Sequence, residues 1–351
     1  MTIDYSKIDY YQNLAADDVP ATPLAWLQSL SSASVIDFVG HEKHPWRVVT
    51  TLLHGNSPSG LIAIHRLIKA NAFAKLKVNI RILIASVEAA QQKPFFGNQT
   101  LPNGTNLDRC FGSTSLSHYY LRAQLLASSI RQVKPEAIVD VQNSQTTSKP
   151  FAMSIKQSHD HLALSSLFCQ TLIVSNLKLG AIFEQAFNCP IISVQCGDGQ
   201  EQQSHQLTEN GLMAFIEQKD LTLRELPVEI DVIHDPKLIS LAPDTSLNWQ
   251  TSPSETDITL TDITLNDSLT KHSFSVFKQL TPIGWTNKQK PKLLIRNQTN
   301  DEQLSNYITV DSGQIFCQPG TFVFAVNSPM SVSANDTLFY IAREEVKLRR
   351  K

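Results

Sequence analysis

With 351 residues, 42% of them hydrophobic, the chain is long enough to bury one large core and a second, smaller one. Lys and Arg number 30 against 32 Asp and Glu, and a net charge of -2 leaves no electrostatic footprint for nucleic acid or an anionic membrane. The five cysteines, Cys110, Cys169, Cys189, Cys196 and Cys317, form no Cys-x-x-Cys pair, which fits free thiols in a reducing compartment. Met1 to Leu14 carries Asp4, Lys7 and Asp9 in place of a basic and then apolar leader, and no run approaches the roughly 20 apolar residues of a bilayer span. A cytoplasmic protein is expected, with no nucleic-acid or membrane partner. The basic ending Lys347-Leu-Arg-Arg-Lys351 reads as a solvated tail.

Residues 1–33 read as a helical or irregular lead-in. From there the pattern alternates between short apolar runs and helical periodicity. Ser34 to Val39 and Trp46 to His54 read as strands, and Val48 to Leu53 is β-branched or apolar throughout, as a strand buried on both faces should be. Pro58 and Ser59 open a helix with Leu61, Ile64, Leu67 and Ile68 on one face. Val78 to Ala85 is a further strand, Ser115 to Val133 a helix, and Glu136 to Val141 a strand. Leu162 to Asn176 reads as a helix, Pro190 to Gln195 as another buried strand, and Glu201 to Gln218 as another helix. Strands separated by helices predict an α/β domain over 34–241, with a mostly parallel or mixed sheet flanked by helices.

The composition changes after Leu241. Ala242 to Thr270 is rich in Ser, Thr and Asp, and holds a short duplication, Asp257-Ile-Thr-Leu-Thr and Asp262-Ile-Thr-Leu-Asn. Together with the β-prone runs Thr321 to Val326 and Thr337 to Ala342, this predicts a smaller β-rich domain over 242–351.

In an open parallel sheet, ligands bind beyond the carboxyl ends of the strands. Three expected strands end in polar residues: His54-Gly-Asn-Ser57, Gln142-Asn143-Ser144 and Gln195-Cys196-Gly197. A fourth segment, Leu101-Pro-Asn-Gly-Thr-Asn-Leu-Asp-Arg-Cys-Phe-Gly112, is a turn-rich loop with a single arginine, Arg109. In order and spacing these four segments resemble the succinylglutamate desuccinylase and aspartoacylase family, within the zinc carboxypeptidase-like group. The resemblance runs from Trp46 to Ile216, about half the chain.

That resemblance implies a zinc-dependent amide hydrolase. His-Gly-Asn-Glu would supply two zinc ligands, an Asp-x-His-Asn segment the third, an Asn-Arg pair in the loop would hold substrate, and a strand-end Glu would be the general base. The chain departs from each pattern. Ser57 and Gln142 stand at two of the three ligand positions, leaving His54. Gln195 stands where the base belongs, and Asp108 precedes Arg109 where the resemblance calls for asparagine.

A catalytic zinc normally takes three protein ligands from His, Cys, Asp and Glu. A serine hydroxyl and a neutral amide are poor substitutes, so no cofactor is expected at His54, Ser57 and Gln142. An amide at 195 cannot take a proton from water. The expectation is therefore a catalytically degenerate member that keeps a pocket for a small acidic or N-acyl amino-acid ligand around Arg109, Asp108 and Asn143. Two alternatives stand beside it: an active amidohydrolase with a rearranged metal site using His159, His161 or Asp108, and a scaffold for an active paralogue. Cys196 and Cys110 read as packing thiols, His159 and His161 as an exposed loop, and His65 as a surface or boundary residue.

Overall fold

The computed structural model describes residues 4–40, 43–144, 148–218, 220–221, 229–287, 291–297, 303–327, 337–343 and 346–349. The first half supplies strands β1 (Ile8–Gln12), β2 (Ala33–Phe38), β3 (Trp46–Thr51), β4 (Asn79–Ile84) and β5 (Ala137–Ser144), then β6 (Phe151–Ser154), β7 (Thr171–Val174), β8 (Ile191–Asp198) and β9 (Glu229–His234). Its helices are α1 (Pro23–Ser29), α2 (Ser59–Lys69), α3 (Val87–Ala90), α4 (His118–Gln132), α5 (His159–Ser165) and α6 (Gln202–Glu217). These strands form a mixed sheet in the order β1-β2-β4-β3-β5-β8-β6-β7-β9, with β4, β3, β5 and β8 mutually parallel at its centre.

Consecutive strand residues point to opposite faces, and both faces are covered. Val49 of β3 lies in one core and Val48 in the other. On the first face, α2 buries Leu61, Ile64, Leu67 and Ile68 against the sheet and against Leu212, Phe215 and Ile216 of α6. Each such side chain contributes about 2 kcal/mol on burial. A Cβ at Gly60 would lie 2.1 Å from Thr51 Oγ1, so only glycine lets α2 start this close to the end of β3. On the second face, α4 buries Ala123, Leu126, Ala127 and Ile130, the spacing of one helical stripe.

The second half is β10 (Lys237–Leu241), β11 (Leu247–Trp249), a short helix α7 (Glu255–Leu260), β12 (Ile263–Leu265), β13 (Ser275–Phe277), β14 (Thr281–Thr286) and β15 (Leu293–Arg296). It continues with β16 (Ile308–Asp311), β17 (Gln314–Cys317), β18 (Thr321–Phe324), β19 (Thr337–Arg343) and β20 (Val346–Arg349). Two five-stranded sheets, β13-β18-β19-β10-β15 and β11-β12-β14-β17-β16, share one apolar core. The first of them sets Phe274, Phe322, Phe324 and Tyr340 against Phe151 of the large sheet, joining the two halves through stacked and edge-on rings. The expected α/β architecture with a β-rich second region is what the chain forms. Among the described residues no helix is long and apolar enough to cross a membrane.

Several local expectations are corrected. Residues 1–33 are not only helical or irregular: β1 pairs parallel with β2 at the sheet's edge, where Ile8, Tyr10 and Tyr11 supply strand-prone side chains. The helix expected from Leu162 to Asn176 ends at Ser165 in α5, and Thr171-Leu-Ile-Val174 is strand β7, buried on both faces. Strand pairing ignores a boundary at 241, since β10 belongs to the second half's sheet while β20 returns to β9 in the first. Val346 to Arg349 is therefore a paired strand, not a free tail; Arg350 and Lys351 lie outside the described residues. His65 is buried, with its Nε2 2.8 Å from the Pro20 carbonyl.

Candidate functional site

From β3 the chain moves to β4 on one side and later to β5 on the other, so strand order reverses between β3 and β5. That is where open α/β sheets place ligands. A cavity of about 420 Å³ opens there, and His54, Gln142, Gln195, Asn143, Asp108 and Arg109 all reach its wall.

The chain leaves β3 through Leu52 in the left-handed region (φ 57°), a conformation that costs a bulky L-residue about 1–2 kcal/mol. This turn brings His54 to the cavity, with Nε2 2.9 Å from Asn106 Oδ1. The same oxygen accepts from the Asp108 amide at 2.9 Å, so the imidazole is the donor. Burial pushes the His54 pKa below its ordinary value; nearby Asp108 opposes that shift and Arg109 adds to it.

On β5 and β8, register sets Gln142 directly beside Gln195. Gln195 Nε2 donates to Gln142 Oε1 at 3.0 Å, and Gln142 Nε2 donates to Asp140 Oδ2 at 2.6 Å. Asp140 is fully buried and also accepts from Thr50 Oγ1 at 2.7 Å and Ser193 Oγ at 2.8 Å. Burial, with Asp108 nearby, raises its pKa to about 7 although these three donors pull the other way.

Ser57 and Asn143 serve the scaffold. Ser57 is fully buried away from the cavity wall, and its Oγ accepts from the Asn143 amide at 3.2 Å. The Asn143 side chain accepts from Ser59 N at 3.0 Å and donates to Ser59 Oγ at 2.8 Å and the Gly197 carbonyl at 3.0 Å. It ties β5 to α2 and β8, and its polar atoms are spent on that task. Asn143, expected beside a ligand, lines the cavity with its amide bonded to Ser59 and to the Gly197 carbonyl.

Asp108 and Arg109 sit on a short 3-10 turn, Leu107–Arg109, with Arg109 Nη1 3.2 Å from Asp108 Oδ2. Asp108 Oδ1 also accepts from Ile182 N at 3.2 Å, so it anchors the turn while partly neutralising the arginine. Arg109 Nη2 reaches the Tyr340 hydroxyl at 3.5 Å. Cys196, one residue beyond Gln195, points into the opposite core, and burial pushes its thiol up to about 12. Cys110 is likewise buried in the core, with its thiol pushed up to about 11. His159 and His161 start α5 away from the cavity wall; His161 is buried, with Nδ1 2.7 Å from Ser158 Oγ.

Among the wall residues that the sequence pattern did not mark are Tyr340, Arg296 and Lys178. Tyr340 and Arg296 come from the β-rich half, where no local pattern marks them as site residues. Lys178 follows β7 at the carboxyl side of the sheet, and misreading that strand as helix hid it. Lys178 and Arg296 are exposed, so with Arg109 the wall carries more positive charge than Asp108 offsets.

The fold has counterparts among solved structures. A succinylglutamate desuccinylase from Vibrio parahaemolyticus superposes with a TM-score of 0.58 at 13% identity, covering 93% of this chain and 99% of that one. The fold is the desuccinylase/aspartoacylase fold. A succinylglutamate desuccinylase/aspartoacylase from Rhodobacter sphaeroides gives 0.54 at 15% identity, covering 86% of each chain. Murine aminoacylase 3 gives 0.53 at 15%, covering 88% of this chain and 97% of that one. No family model matches the chain, and no curated protein matches its sequence.

The desuccinylase/aspartoacylase fold raises the question of zinc, and the residues here do not fit it. His54 is the single strong donor. Ser57 is turned into the scaffold, and both polar atoms of the Gln142 amide are engaged by neighbours. Among the described residues, no three His, Cys, Asp or Glu side chains assemble into a metal-holding group.

Proposed function

We propose that this chain is a divergent member of the succinylglutamate desuccinylase/aspartoacylase family that has lost zinc-dependent hydrolysis and binds a small acidic or N-acyl amino-acid-like ligand. The observation that carries the reading is the Gln142–Gln195 amide pair at the ends of β5 and β8. Hydrolysis in such a site needs a carboxylate to take a proton from water and deliver it to the leaving amine. An amide cannot do this, and this one is held by another amide. Arg109 remains to pair with a carboxylate, and Lys178 and Arg296 extend the positive wall. The alternative of a rearranged metal site finds no support at His159 and His161, which belong to α5.

The full chain with added zinc is expected to leave N-acetyl-L-aspartate and N-succinyl-L-glutamate unhydrolysed. L-Glutamate or its N-acyl form is expected to raise the melting temperature, with affinity falling about tenfold in Arg109→Ala. Near-stoichiometric zinc that disappears in His54→Ala, together with turnover, would overturn the reading.

A further inference from the structure

The cavity floor has a fixed hydrogen-bond polarity. A carboxylate only accepts, and Asp140 takes donors from Thr50, Ser193 and Gln142. Gln142 must therefore turn its NH2 toward Asp140 and its oxygen toward β8. That oxygen receives one N–H of Gln195 Nε2, which leaves Gln195 Oε1 as the acceptor of an amide that lines the cavity. A second chain ends the same way. The Asp108 amide occupies Asn106 Oδ1 alongside His54 Nε2–H, so the Nδ1 of the neutral ring is a lone pair. Two residues, one just beyond β3 and one on β8, thus each keep an acceptor, and each is held in that sense by a hydrogen-bonded partner.

We propose that this floor selects a ligand group with two or more N–H donors, so that the site takes a free amino acid in preference to its N-acylated form. The inference rests on the acidic-ligand reading above and sharpens it. An ammonium group offers three donors to Gln195 Oε1 and His54 Nδ1, while its carboxylates face Arg109, Lys178 and Arg296. A secondary amide offers one N–H to these two acceptors, so one of them stays unpaired. A ligand with carboxylates and no donor leaves both floor acceptors unpaired.

Titration calorimetry of the full chain at pH 8 with L-glutamate, N-acetyl-L-glutamate and glutarate tests this. L-Glutamate is expected to bind at least about tenfold more tightly than the other two. In Gln195→Met, which keeps side-chain length but removes the acceptor, the preference should shrink to about threefold or less. Asp140→Asn can donate to Gln142 Oε1, which reverses the chain and turns the Gln195 NH2 to the cavity. Its preference should swing toward N-acetyl-L-glutamate. Should that variant not fold, Gln195→Met carries the test alone. Equal binding of all three compounds by the parent overturns the proposal and leaves the acidic-ligand reading standing. An undiminished preference in Gln195→Met also overturns it, and binding of none of the three overturns both.

Discussion

The two sides of the cavity are built on opposite principles. The floor, at the ends of β3, β5 and β8, is buried and polar, and its groups are fixed by one another: Asp140 by three donors, Gln142 by two partners, His54 by Asn106. The opposite wall, from β10, β15 and β19, mixes apolar and neutral polar side chains with an exposed cation, Arg296, and its Tyr340 stacks on Phe324 of β18. On the floor each polar side chain is satisfied by a neighbouring hydrogen bond. On the wall, shape comes from rings that have no substitute.

The largest effect that separates these sides should come from the wall. Phe324 is fully buried among Phe151, Phe322 and Tyr340. Phe324→Ala should destabilise the chain by about 4 kcal/mol in urea unfolding, and a cost under about 1 kcal/mol would show that the rings do not join the halves.

A floor substitution should cost less and carry a pH signature. Ser193→Ala removes one of three donors to Asp140 and should cost about 1 kcal/mol at pH 8. Burial raises the Asp140 pKa, so its contribution to stability is fully present below the ordinary aspartate value and is lost as pH rises through about 7. Without the Ser193 hydroxyl, which favours the ionised form, that loss should extend to higher pH. Unfolding free energies from pH 4 to 9 would sink the idea if both proteins gave the same profile.

The smallest effect belongs to the exposed cation. Arg296→Ala should weaken an anionic ligand only about twofold, and the difference should vanish in about 0.5 M salt. A tenfold, salt-resistant loss would make Arg296 part of the floor's mechanism instead.

The sequence made the floor legible and the wall obscure, for a physical reason. β3, β5 and β8 are largely buried on both faces, so each reads as a mostly apolar run, interrupted by Thr50, Asp140 or Ser193, whose polar ending stands out. His54, Gln142 and Gln195 could be found that way. Tyr340 alternates within a β-prone run like any sheet residue, and its neighbour at the site, Arg109, lies 231 positions away. The duplicated segments show how little a local pattern can fix. Asp257-Ile-Thr-Leu260 is helical because Ser254 and Asp257 cap one another, with Ser254 Oγ accepting from the Asp257 amide at 3.2 Å. The second copy, from Ile263 to Leu265, is a strand because β11 and β14 pair with it on either side. Four shared residues take two conformations, and the neighbours decide.

The contact between Arg109 and Tyr340 also sets an order of events. The floor can be assembled from residues up to β8, but β19 must be made, paired with β18 and β10 and docked on Phe151 before the cavity has a second side. During synthesis the cavity therefore has one side only until Tyr340, 231 positions after Arg109, has been made and docked.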